Sequence, residues 1–179
     1  MSTPPATLPA SANDGAGRPG ESAPAGQAPR EQAPRDVAGF YQSADALCRC
    51  AMECCRQHER VAHLVKLGAL PAEQRAAQTL AAICDDALAD LVAAYERAAD
   101  KAHPNGGDAC WHAANGLWLA GREFARRTRT SARAARGIGD RGDRTQFTEL
   151  ALDYDLEASA LLLLKQATDA YRKARPDVV

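Results

Sequence analysis

Three breaks carrying glycine, two of them with proline, at Gly68–Pro71, His103–Gly107 and Gly137–Gly139, cut the chain beyond Asp36 into four segments of near-equal length. Between the breaks stand mainly Ala, Leu, Arg and Glu, strong helix formers, with almost no β-branched runs. The spacing predicts four helices. Helix 1 runs from an Asp36 N-cap to about Leu67, with Gly68 where a left-handed C-terminal residue belongs. Helix 2 starts at Pro71, a favoured first position, and reaches about Ala102. Helix 3 follows an Asp108 cap and ends near Arg136, and helix 4 opens on Asp143-x-x-Gln146, a capping-box variant, and stops before Pro176. At 1.5 Å per residue each spans ~45 Å, and the short connections make neighbours antiparallel. The expected fold is all-α, an antiparallel up-down-up-down four-helix bundle over residues 36–179 with coiled-coil-like packing.

Residues 1–35 read differently. They hold seven of the ten prolines and no aromatic residue, a composition that buries too little apolar area to offset its ordering entropy. They are expected to form a disordered tail. Met1-Ser-Thr-Pro-Pro has neither the charged start nor the apolar run of a secretory signal, so the expected compartment is the cytoplasm. The longest aliphatic run, Ala160–Leu164, is far short of the ~18 residues of a membrane span.

Apolar residues at i, i+3/i+4 spacing define the expected core stripes. Helix 1 offers Phe40, Ala44, Leu47, Ala51, Cys54, His58, Val61 and Val65, and helix 2 offers Leu80, Cys84, Ala87, Leu91 and Ala98. Helix 3 offers Cys110, Ala114, Leu117, Gly121, Phe124, Thr128 and Ala132, and helix 4 offers Phe147, Leu150, Tyr154, Ala158 and Leu161. Helix 4 carries a further ridge, Leu152, Leu156 and Leu163, about 120–180° from that stripe. A helix apolar on two faces is usually covered on both, so this ridge is an expected interaction surface and its simplest partner is a second copy in a homodimer.

Four of six cysteines crowd into Cys48-Arg-Cys50-Ala-Met-Glu-Cys54-Cys55. At 100° per residue Cys50, Cys54 and His58 form a column one turn apart, with Cys48 and Cys55 on the opposite edge of the stripe. Thiols on an Ala-rich stripe pack as small hydrophobes. The alternative is a soft site for Cu(I) or Zn²⁺, or a redox thiol site, with Cys84 or Cys110 completing the ligands from neighbouring helices. In this crowding the segment resembles the cysteine-rich four-helix copper storage proteins, whose thiolates line the bundle interior. The likeness covers helix 1 only, because helices 2 and 3 bring one cysteine each and helix 4 none, whereas that family lines all its helices.

Catalytic signatures are lacking. No Glu is followed at i+3 by His, as a di-iron bundle requires, and His58 and His63 are spaced by five residues, not the four of a zinc-protease helix. No phosphate-cradling loop or nucleophile elbow occurs. No enzymatic activity and no cofactor are therefore expected, apart from the metal of the alternative reading. Arg122, Arg126, Arg129, Arg133 and Arg136 form a strip on helix 3 that continues to Trp118 and Trp111. Its expected role is pairing with Glu149, Asp153, Asp155 and Glu157 of helix 4, and failing that the binding of an acidic protein. Nucleic acid is not an expected partner, because 22 Lys and Arg against 23 Asp and Glu leave a net charge of -1. The leading expectation is a non-enzymatic bundle that acts through protein–protein association.

Overall fold

A computed structural model of the chain describes residues 36–102, 108–138 and 143–177. They form four helices, α1 (Val37–Lys66), α2 (Pro71–Ala102), α3 (Ala109–Gly137) and α4 (Arg144–Ala174), and no strand occurs among the described residues. The expected tail, residues 1–35, lies outside them.

Each boundary has a local cause. The Asp36 carboxylate accepts from the Gly39 amide at 2.8 Å, and Asp108 accepts from Trp111 at 2.6 Å, so each cap satisfies an amide that the first turn leaves free. At Asp143 the capping box is complete: Asp143 accepts from the Gln146 amide at 2.9 Å, and the Gln146 side chain accepts from the Asp143 amide at 3.1 Å. Helix α1 ends at Gly68, whose φ of 65° is costly for any residue with a Cβ. That conformation lets Ala69 donate to the Leu64 carbonyl and Gly68 to the Val65 carbonyl, the Schellman pattern.

Contacts between helices fix their order in space. At one end Asp45 accepts from the Tyr171 hydroxyl at 2.6 Å and pairs with Arg175 at 3.0 Å, joining the start of α1 to the end of α4. Arg175 also lies 4.8 Å from the centre of the Tyr41 ring, and Tyr41 donates to the Asp108 cap at 3.3 Å. Farther along, His58 meets Asp85, Tyr95 meets Asn115, and Ser131 reaches the Asp153 carbonyl.

The packed interior belongs mainly to that same half of the molecule. Phe40, Leu47, Leu88, Tyr95, Leu117, Phe124, Leu164 and Tyr171 are its large buried side chains, and Ala44, Ala51, Ala114 and Ala160 fill between them. All four helices converge at Gly121. A Cβ there would stand 3.2 Å from Val92, 3.8 Å from Leu47 and 4.0 Å from Leu164, so the missing side chain is what admits α3 between the other three.

Two expected stripes are displaced. On α2 the buried residues are Ala77, Ala81, Leu88, Val92, Tyr95 and Ala102, while Leu80 and Ala87 are exposed and Cys84 and Leu91 sit at the margin. The helix is turned by about one residue, or ~100°, from the expected stripe. This setting buries Tyr95, a large aromatic ring whose hydroxyl finds Asn115 at 3.1 Å. On α4 only Ala160, Leu164, Thr168 and Tyr171 are buried, all in its second half, and Phe147, Tyr154 and Ala158 face solvent. Val65 of α1 and Ala132 of α3, also expected inside, are exposed.

The crowding at Gly121 and the openness at Gly116 predict opposite outcomes for two glycines of one helix. Gly121→Leu should destabilise the fold by about 1–3 kcal/mol through overpacking. Gly116→Ala, where no atom lies within 4 Å of the new Cβ, should stabilise it by about 0.5–1 kcal/mol by lowering unfolded-state entropy. Urea titration followed by circular dichroism measures both, and equal effects would remove the close approach as the explanation.

Candidate functional site

The thiols of α1 part to two sides. Cys48 and Cys55 are buried toward α4, near Arg172, Asp169 and Lys165. Burial pushes both up to about 11, so they stay protonated and pack as small apolar groups. Cys50 and Cys54, one turn apart, face α2, where Cys84 stands at the helix margin. The Cys50 Sγ lies 3.9 Å from the Cys84 carbonyl oxygen, a long contact for a thiol donor. Hydrogen bonding from Cys54 lowers the Cys50 thiol below its ordinary value, whereas Cys54 is raised, first by that hydrogen bond and then by burial. Cys84 is raised as well, chiefly by desolvation, although Cys54 also hydrogen-bonds to it.

The other expected ligands go elsewhere. His58 is half-buried with its Nε2 2.9 Å from Asp85 Oδ1 and its ring edge-on to Phe124, 5.2 Å between centroids. Burial opposes its protonation, but the Asp85 hydrogen bond and the charges of Asp85 and Glu157 outweigh that and raise its pKa. Cys110 sits at the opposite end of the core beside Tyr41, whose hydroxyl is pushed up to about 12 by burial and by the neighbouring Asp108 and Cys110. Of the five expected ligands, Cys50, Cys54 and Cys84 come together, while His58 and Cys110 do not join them. Among the described residues no three His, Cys, Asp or Glu side chains stand in a group that could hold a metal ion.

The arginine strip faces α2 rather than α4. Arg122, Arg126, Arg129 and Arg133 line a groove of about 340 Å³ whose remaining walls are Ala89, Val92, Ala125 and Thr130. The expected pairing with Glu149, Asp153, Asp155 and Glu157 is replaced by a bond within α3. Glu123 takes Arg126 in a bidentate pair at 2.7 and 2.8 Å and Arg127 at 2.7 Å, and the Arg126 hydrogen bond leads in holding its carboxyl down to about 2. Arg122 lies 5.5 Å from the centre of the Trp118 ring, and Trp118 donates to Glu96 at 3.2 Å. Two acids that sequence reading passed over, Asp85 and Asp86, belong to this region. Their adjacent positions on an amphipathic helix carry no signal that separates a half-buried carboxylate from an exposed one.

Of the helix 4 ridge, Leu152 and Leu163 are exposed and Leu156 is half-buried, so the ridge's middle member already touches the bundle. Searches of family models, curated proteins and solved structures find no match for the chain.

The burial of the thiols predicts their reactivity. At pH 7.5 iodoacetamide should label the half-buried Cys50, Cys84 and Cys110 before the buried Cys48, Cys54 and Cys55 in the folded state. Peptide mapping by mass spectrometry resolves each site. Cys54→Ala should slow labelling of Cys50 by removing the hydrogen bond that stabilises its thiolate, and faster labelling in that variant would contradict the assignment.

Proposed function

We propose that the chain is a non-enzymatic antiparallel up-down-up-down bundle of the cytoplasm that acts by protein–protein association, with a second copy of itself as its first partner. The observation that carries this reading is the first half of α4. From residue 144 to residue 159 it buries no side chain, yet it exposes Phe147, Leu152 and Tyr154, and Leu162 and Leu163 follow. Leu152 is 59% and Leu163 55% exposed, too much apolar area on one helix to be left to water without a use. Leu67 and Leu70, in the connection from α1 to α2, and Ile83 of α2 are exposed too. A two-fold axis through the Leu152 and Leu163 face would cover the same ridge on both copies.

Leu152→Glu combined with Leu163→Glu should convert a dimer into a folded monomer without loss of helix, because neither side chain is in the core. Light scattering reads the mass and circular dichroism the fold. A monomeric unmodified protein at concentrations on the order of tens of micromolar would refute self-association.

A second reading keeps Cys50, Cys54 and Cys84, neighbours on α1 and α2, as the thiols of a soft-metal or redox site, although as placed among the described residues they make no three-ligand metal group. Thiols suit Cu(I), and binding would draw these side chains together and release their protons. Under this reading the same residues serve as a soft-metal or redox site, with Cys110 and His58 outside it. Anaerobic Cu(I) and Zn²⁺ titration of the full chain should then give stoichiometric binding that Cys54→Ser and Cys84→Ser abolish and Cys110→Ser leaves unchanged. Equal affinity in all three variants would refute it.

A further inference from the structure

The seam between α2 and α3 holds a row of cations, and among the described residues its stretch from Arg122 to Arg133 has no carboxylate in its walls. Two adjoining stretches of groove, each about 340 Å³, share Arg129 and Arg133 and extend from Arg122 to Arg136. Among the described residues Arg122, Arg129, Arg133 and Arg136 form no ion pair, and Arg126 is held by Glu123 of its own helix. The facing wall of α2 is built from Ala82, Asp85 and Asp86 in the Arg136 stretch and from Ala89 and Val92 in the Arg122 stretch. The small side chains of the latter allow another helix to approach to the ~8–10 Å of ordinary helix packing.

We propose that this seam is the docking groove for an acidic amphipathic helix of a partner protein, whose carboxylates at i, i+4, i+7 and i+11 lie along Arg122, Arg126, Arg129 and Arg133. The arginines themselves follow that spacing, so two helices laid side by side repeat their charges at the same ~5–6 Å interval, and each guanidinium can take a carboxylate through two N–H donors. Arg126 would exchange or share Glu123, an exposed pair that is readily replaced. The far stretch of the seam differs. There Asp85 and Asp86 share the walls with Arg129, Arg133 and Arg136, and Asp85 is already engaged by His58, whereas the stretch from Arg122 to Arg133 has no acid among the described residues of its walls and is where the partner's acids belong. A single-stranded nucleic acid fits less well, because no aromatic face lines the groove and Trp118 is occupied by Arg122 and Glu96. The surface is separate from the α4 ridge, so it stands or falls independently of self-association.

The test uses an Ala-based helical peptide of about 20 residues with Glu at i, i+4, i+7 and i+11, an isomer with the same glutamates spread around the helix, and a single-stranded DNA oligonucleotide. Fluorescence anisotropy with the full chain should show binding of the aligned peptide that weakens as salt rises. The isomer and the oligonucleotide should each bind at least ~10-fold more weakly, since both lack the aligned carboxylates. Arg129→Gln with Arg133→Gln should reduce affinity for the aligned peptide by at least ~10-fold, without change in helix content because both side chains are exposed. Equal binding of the two peptides, tighter binding of the oligonucleotide, or no binding of the aligned peptide at low salt would overturn the proposal. The comparison of peptides decides the matter without the variant, should the variant fold poorly.

Discussion

The rest of the bundle depends on the close approach at Gly121, where α3 presents backbone to Val92, Leu47 and Leu164 at once. A side chain at this level would push α3 outward and open the interior that Phe40, Leu117 and Phe124 fill. The same requirement for short distances explains the many buried alanines and the burial of Cys48 and Cys54, which occupy little more space than Ala and carry no strong polar demand. At that end the Asp45, Tyr171 and Arg175 cluster gives the Tyr171 hydroxyl its partner, so a large aromatic ring is buried without an unsatisfied polar atom.

Tightness at one end leaves the other sparsely packed. Beyond about His58 on α1 and before Ala160 on α4, buried residues are few: Ala77, Ala81, Ser131 and those near Phe124. Apolar side chains are present in this half, but they lie outside the stripe that closes a four-helix core. A core contributes stability in proportion to the apolar area it removes from water, so Val65, Ile83, Phe147 and Tyr154 add little to the fold while they remain exposed. Their cost is one of solubility, which is the physical ground for expecting them to be covered by another surface.

Helix boundaries were legible because each rests on a single local device: Asp36, Gly68, Pro71, Asp108 and the Asp143 box act within one turn of chain. The faces of α1 and α3 were legible over most of their length because their largest aliphatic and phenyl side chains, Phe40, Leu47, Leu117 and Phe124, stand on one side. On α2 and α4 they were not, since apolar residues surround both helices and periodicity cannot say which arc wins. Tyr95 decides α2, and its partner Asn115 lies on another helix, 20 residues away in the chain. Tyr171 decides α4 through Asp45, which is 126 residues away. The thiol grouping was half legible for the same reason. Cys50 and Cys54 share one helix, so their spacing is enough, whereas the choice of Cys84 over Cys110 follows from interhelical placement.

That one-residue turn of α2 also relates the two candidate surfaces. Had Cys84 pointed into the core, Asp85 would have been carried away from His58 and Ala89 out of the groove wall. In the observed setting one turn of α2 presents Cys84 to the thiols, Asp85 to His58, and Asp86 to the arginine seam. Asp85 lies at the junction, since it binds the imidazole on one side and lines the groove with Arg129 and Arg133 on the other. Among the described residues its one ion pair is with the half-buried imidazole, so Asp85 holds His58 while it gives the seam a negative wall beside Arg129 and Arg133. The groove and the imidazole are thus joined through one carboxylate, while the thiols beside it answer to burial and to one another.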